Sequence, residues 1–138
     1  MHHLFFLFLL TLPGMAWAEA AALNPATLDA GSHATRAGLY RVTLHPPAPI
    51  HLNRYQTWGV YVKDAAGSVV DKARVELSAD MPAHGHGLLA APQVSPGSAP
   101  GRYRVEGLRF HMPGHWEIRV QISRAGKHDE LVLPIELE

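Results

Sequence analysis

Residues 116–122 read WEIRVQI and indicate the fold more clearly than any other stretch of the chain. Their side chains alternate between apolar and polar, and the apolar series consists of Trp116, Ile118, Val120 and Ile122. Because successive side chains of a β-strand point to opposite faces, this alternation predicts a strand with one buried and one solvated face. Residues 131–137 repeat the pattern beyond a Gly-containing turn at 124–127, so the two stretches predict a β-hairpin.

The same two-residue period recurs upstream in several short stretches. It runs through residues 40–44, 55–63, 73–79 and 102–110, and Gly107 interrupts the last of these as a predicted β-bulge. Turn sequences rich in Pro, Gly and Asp separate the stretches at roughly ten-residue spacing, and no stretch has a convincing helical period. The pattern predicts an all-β fold, an immunoglobulin-like antiparallel β-sandwich of about seven strands, with a small β-barrel as the alternative.

The N-terminus has the features of a signal peptide. Residues 4–12 form an apolar run that is shorter than the roughly 20 residues of a membrane span, and residues 16–18 (AWA) match the small-x-small pattern of cleavage sites. We therefore expect a signal peptide over 1–18, a flexible lead-in over 19–35 and a β-sandwich domain over 36–138. The expected location is periplasmic or secreted. Because no Lys or Arg precedes the apolar run, an uncleaved membrane anchor is the alternative.

Charge and cysteine content exclude several classes of partner and site. The chain has 12 Lys and Arg against 12 Asp and Glu, and it has no cysteine. A neutral balance argues against binding to nucleic acid, and no membrane contact is expected once the signal peptide is removed. Any metal would be bound without thiolate, which disfavours a cysteine-rich structural zinc site.

Two turns share the pattern Met-Pro-small-His, at residues 81–84 and 112–115. The first continues as Met-Pro-Ala-His-Gly-His-Gly, so that Met81, His84 and His86 lie within six residues of one another. Imidazole binds several transition metals, whereas a neutral thioether is suited to Cu(I). The mixed ligand set therefore predicts a copper site, with Cu(I) favoured and Cu(II) also accommodated by the imidazoles.

The second turn offers further ligands to the same predicted site. Met112 would supply a second sulfur, and His111 or His115 another nitrogen. Met81 ends one predicted strand and Met112 follows another, so the two turns meet if both strand ends lie at one pole of the sandwich. In the alternative interpretation the methionines fill the core and the histidines are merely solvated. The chain would then be a structural or protein-interaction module without a metal.

The sequence does not predict an enzyme. No Ser/His/Asp or paired-carboxylate arrangement stands out, and a predicted mature N-terminus at Glu19 disfavours a copper oxygenase that uses an N-terminal histidine. The predicted function is a copper chaperone or buffer. Its expected partner is a protein that donates copper to it or accepts copper from it.

Two runs of residues carry a resemblance to a known family. They are Met-Pro-x-His-x-His-Gly at 81–87 and Phe-x-Met-x-Gly-x-Trp at 110–116. With these runs, the chain resembles the YtkA-like/FixH-like small exported domains over about residues 38–122. The resemblance implies an immunoglobulin-like β-sandwich outside the cytoplasm and a role in copper handling or copper-oxidase assembly. It maps the site onto Met81, His84, His86 and Met112. His115, and below it His111, rank lower because they occupy variable positions of the second run.

Overall fold

The alternating stretches form two stacked antiparallel sheets in a computed structural model that describes residues 25–138. The elements in chain order are α1 (Pro25–Ala30), β1 (His33–Ala34), β2 (Tyr40–His45), β3 (Gln56–Asp64), β4 (Arg74–Met81), β5 (His86–Gly87), β6 (Gln93–Pro96), β7 (Arg102–Leu108), β8 (Gly114–Arg124) and β9 (Lys127–Leu137). One sheet has the strand order β1-β2-β3-β7-β6 and the other β5-β4-β8-β9.

The predicted β-sandwich is therefore confirmed. Nine strands are present in the described part of the chain where the sequence predicts about seven. The difference comes from β1 and β5, which have two residues each and are too short to show a period. They form because neighbouring strand edges offer free backbone groups, as when Asp80 pairs with Gly87 and Met81 with His86.

The core lies between the two sheets and consists of the apolar residues at the inward positions of each strand. In β8 buried and partly exposed side chains alternate from Trp116 to Ile122, as WEIRVQI predicts. The largest fully buried side chains are Trp58, Trp116 and Phe110. Their burial contributes a large hydrophobic stabilisation, because each ring removes an extensive apolar surface from water.

Two local predictions about the strands and turns are also confirmed. Gln56 pairs with Leu108 and Thr57 with Glu106, which leaves Gly107 as the extra residue of a bulge, with φ of 87°. The hairpin between β8 and β9 turns through Ala125 and Gly126, with φ of 51° and 75°. Positive φ at both central residues is the geometry of a type I′ turn, whose twist matches that of the flanking strands.

The segment predicted as a flexible lead-in includes short elements of secondary structure from Pro25 onward. Residues 25–30 form α1, Leu28 of this helix is fully buried, and β1 pairs with β2. The predicted signal peptide and residues 19–24 lie outside the described part of the chain. Between residues 25 and 138 there is no helix with the length and apolar character needed to cross a membrane.

A buried carboxylate anchors this segment to the last strand. Asp129 is 5% exposed and accepts hydrogen bonds from the Thr35 hydroxyl (2.6 Å) and from the backbone N–H groups of Ala37 and Leu39. Burial by itself would raise the pKa of Asp129, but these hydrogen bonds and one from the Glu130 N–H outweigh it, so the pKa lies below its ordinary value. Residues 35–39 are thereby fixed against β9.

Candidate metal centre

The two Met-Pro-small-His turns lie at the same pole of the sandwich. β4 and β8 are antiparallel neighbours, and Asp80 near the end of β4 pairs with Glu117 near the start of β8. The first turn follows β4 and the second precedes β8, so both are at this edge of the sheet. The prediction that both turns lie at one pole of the sandwich is therefore confirmed. We call the group formed by Met81, His84, His86 and His111 the histidine pole.

The first turn reverses direction tightly because of its proline and glycines. Residues Pro82–His84 form a single 3-10 turn, and Gly85 ends it in the left-handed region with φ of 66°. The Gly85 N–H donates to the Met81 carbonyl oxygen (3.1 Å). β5 then returns along β4, where a Cβ on Gly87 would lie 2.8 Å from the Ala79 carbonyl oxygen, so no larger residue fits without movement. This turn presents His84 and His86 at the surface, where both are exposed.

Three imidazole rings lie in sequence across the histidine pole. The ring centroids of His84 and His86 are 5.6 Å apart, and those of His86 and His111 are 5.1 Å apart. The ring planes are inclined by 32° and 38° respectively. At metal–nitrogen distances of about 2.0–2.1 Å, two imidazoles in tetrahedral positions have centroids roughly 5 Å apart. Each neighbouring pair therefore has a spacing that allows two rings to share one ion.

His111 is the innermost of the three histidines. It is half-buried, and its ring meets the edge of Trp116 at a centroid distance of 5.6 Å and an angle of 83°. Its Nδ1 atom is buried and has no hydrogen-bond partner among the described residues. An unpaired buried nitrogen is unfavourable in the absence of a ligand, because it has lost its contact with water. This nitrogen fits a metal-ligand role.

The two methionines occupy different environments. Met81 is 1% exposed and is the direct cross-strand partner of His86, so their side chains are neighbours on the same face of the sheet. Its Cε lies 3.3 Å from the position that a Cβ would take on Gly114. Met112 is half-buried against the core, and its carbonyl oxygen accepts a hydrogen bond from Trp116 Nε1 (3.0 Å). Both thioethers thus lie beside the turns, and Met81 also packs as a core residue.

His115 points away from the histidine pole. It is the residue before the inward-facing Trp116, so strand alternation directs it to the outer face. There its Nδ1 is 3.5 Å from Glu136 Oε2, on the partner strand β9. The sequence ranks His115 above His111, but the structure brings His111 to the other histidines. The alternation of side chains in β8 could have shown from the sequence that His115 faces away from the other histidines. Residues 109–113 are irregular, so the sequence does not indicate that the His111 side chain points towards His86.

The histidine pole offers few ligand atoms to a metal ion. Within residues 25–138, no three His, Asp or Glu side chains converge closely enough to hold a metal ion by themselves. A bound ion would therefore take two imidazoles and complete its coordination with methionine sulfur or water. Such a mixed set of neutral nitrogen and soft sulfur fits copper better than magnesium or calcium, which prefer oxygen ligands.

Comparison with known proteins identifies the family. A family model described as YtkA-like matches residues 35–121, which include both turns, β2, β3, β4, β7 and most of β8. No curated protein matches the chain significantly. Among solved structures, the chain is similar to one described as the ZirS C-terminal domain, with 14% identity over 94% of this chain and 88% of that chain and a TM-score of 0.40. The match of the family model to more than half of the sequence shows that the chain belongs to the YtkA-like family.

Proposed function

We propose that this protein is an exported, non-catalytic copper-binding domain that holds copper at the histidine pole and exchanges it with a partner protein. The proposal is carried by one observation, the approach of the His86 and His111 rings from two separate turns, with Met81 as the cross-strand partner of His86. In this role copper is the cargo of the protein and takes part in no reaction there. Two exposed imidazoles at the surface give an incoming or outgoing ion direct access to the site.

The chemistry of the ligands supports copper as the cargo. Neutral imidazole binds Cu(II) and Cu(I), and thioether adds preference for Cu(I). The rings that define the pole bring nitrogen and no oxygen ligands, so a hard cation gains little from them. The resemblance of residues 81–87 and 110–116 to exported domains with roles in copper handling points in the same direction. A periplasmic or secreted location fits this role.

Replacing His86 with alanine is expected to weaken copper binding by about 100-fold, because His86 belongs to both imidazole pairs. The purified protein would be titrated with Cu(I) and with Cu(II) against chromophoric chelators of known affinity. The matched control is His128→Ala, which removes an exposed histidine at the opposite end of β8 and β9, where it bonds to Ser123. That control should bind copper as the unsubstituted protein does.

Replacing Met112 with leucine is expected to weaken Cu(I) binding by about tenfold and to leave Cu(II) binding nearly unchanged. Leucine conserves the volume of the half-buried side chain, and the carbonyl that receives the Trp116 N–H is part of the backbone. The same chelator competition measures both ions. Equal affinities of this variant and the unsubstituted protein for Cu(I) would remove Met112 from the ligand set.

A protein that binds neither copper ion in these competitions would contradict the proposal and favour a protein-interaction module. One feature supports that second function. Among the described residues, β5 pairs only with Asp80 and Met81, so residues 74–78 of β4 have no strand neighbour on that side. A cleft of about 490 Å³ lies between this free edge and residues 91–94. A free strand edge can accept an extended peptide through backbone hydrogen bonds.

A further inference from the structure

His86 is the shared member of two imidazole pairs that differ in their surroundings. From this we propose that the histidine pole contains two overlapping copper positions, an outer one between His84 and His86 and an inner one between His86 and His111. The inference rests on the proposed copper-binding function and deepens it. It assigns Cu(II) to the outer position and Cu(I) to the inner position.

The ring spacings support two positions more than one three-histidine site. The two neighbouring separations are 5.6 Å and 5.1 Å, and each matches the roughly 5 Å expected for a pair of imidazoles on one ion. No three ligands of the His, Asp and Glu type in residues 25–138 converge as a metal site would require. Imidazole has two ring nitrogens, either of which binds metal, so His86 is able to serve either pair.

The outer position is exposed to water and is formed by two nitrogen ligands from the protein. His84 ends the 3-10 turn and His86 begins β5, and both side chains are exposed. Water is therefore available to fill the remaining coordination positions. Nitrogen and oxygen ligands in an open, adaptable arrangement suit Cu(II), which prefers tetragonal geometry with such donors.

The inner position is shielded and has a soft donor beside it. Met81, the cross-strand partner of His86, is almost completely buried, and His111 has its Nδ1 buried without a partner among the described residues. The Trp116 ring packs against the His111 ring at nearly a right angle, with centroids 5.6 Å apart. Low coordination number, thioether sulfur and exclusion of water are the conditions that favour Cu(I).

The shared histidine gives a route between the two positions. A Cu(I) ion that enters at the exposed His84–His86 pair moves to the inner position when His111 replaces His84 as its second imidazole while His86 stays bound. This is a ligand exchange between neutral imidazoles in which the ion stays Cu(I), so it requires no electron transfer. The protein would thus receive or release Cu(I) at His84 and retain it at His111, whereas Cu(II) stays at the outer position.

The test compares His84→Ala with His111→Ala, each titrated separately with Cu(II) in air and with Cu(I) under anaerobic conditions. We expect His84→Ala to weaken Cu(II) binding at least tenfold and to change Cu(I) binding less than threefold, and His111→Ala to show the reverse pattern. His111→Phe is the second inner variant, because it keeps an aromatic ring against Trp116 and removes the nitrogens. Circular dichroism and melting temperature establish that each variant is folded.

Two outcomes are distinguishable. If His84 and His111 variants lose affinity for both ions to the same extent, the pole is one site and the two-position inference is overturned while the proposed copper binding stands. If the unsubstituted protein binds neither ion, the proposed function itself fails. His128→Ala serves again as the control that should change neither titration.

Discussion

Trp116→Ala is expected to lower the free energy of unfolding by about 3–5 kcal/mol, the range for deleting a large buried aromatic side chain. Trp116 is 0% exposed and contacts Phe110 in an edge-to-face arrangement with centroids 5.1 Å apart. Its removal leaves a cavity at the start of β8 and also leaves the Met112 carbonyl without the indole N–H that it now binds. Urea denaturation followed by circular dichroism measures the change.

Trp116→Phe separates the two contributions of this side chain. Phenylalanine keeps a buried six-membered ring and loses the N–H together with part of the indole volume, so the expected destabilisation is smaller, about 1–3 kcal/mol. Because the lost hydrogen bond holds the loop of Met112, this variant should also bind Cu(I) more weakly than the unsubstituted protein. If the alanine variant were as stable as the phenylalanine variant, the cavity argument would be wrong.

Asp129→Ala is expected to destabilise the protein by about 2–4 kcal/mol, because it leaves several buried or partly buried donors without an acceptor. These donors are the backbone N–H groups of Ala37, Leu39 and Glu130, whereas the Thr35 hydroxyl still has the Tyr40 carbonyl oxygen as an acceptor. The loss would loosen residues 35–39 on β9, although the Arg36 N–H still donates to the Glu130 carbonyl oxygen. Hydrogen exchange of the amides of residues 35–39, together with urea denaturation, measures both effects. Glu136→Ala, an exposed carboxylate on the same strand, is the control and should change stability little.

The Asp129 carboxylate also predicts a pH dependence. Its pKa is lowered in the folded protein, so its stabilising contribution is complete above the unfolded-state pKa of about 3.9 and is lost as the pH falls through the lower folded-state value. The difference in unfolding free energy between the unsubstituted protein and Asp129→Asn should therefore be constant near neutral pH and shrink in acid below about pH 4. A difference that grows on acidification would contradict this assignment of the sign.

Strand alternation made most of the fold predictable from the sequence. WEIRVQI and the stretches around residues 40–44 and 55–63 alternate because one face of each strand is buried, and this is a local property that the sequence records directly. The pairing of β1 and β5 was not predictable in this way, because two-residue strands depend on neighbours outside their own short stretch. The position of α1 was missed for a similar reason, since it is Leu28 packing on the sandwich that orders the helix.

The part of the candidate site in residues 81–87 could be predicted from the sequence, whereas the contribution of His111 could not. Met81 lies on the inward parity of β4, and the glycines around His84 and His86 indicate a tight turn, so both properties follow from local sequence. The contribution of His111 depends on how an irregular loop crosses the pole, which no period describes. Asp129, by contrast, occupies the same alternate positions of β9 as the inward-facing Leu131 and Leu133. Its burial could therefore have been predicted from the sequence.

The chain of aromatic contacts from the pole to the core has an optical consequence. His111 meets Trp116, Trp116 meets Phe110, and Phe110 meets Trp58 with centroids 5.8 Å apart. The remaining tryptophan, Trp17, lies in the predicted signal peptide. An ion bound to His111 would lie close to the indole of Trp116, which contacts His111 directly, and farther from the indole of Trp58. The ion would therefore quench the ultraviolet emission of Trp116 more strongly than that of Trp58. Under the proposed copper binding, the emission of Trp116 relative to that of Trp58 would report whether the ion lies at the inner position.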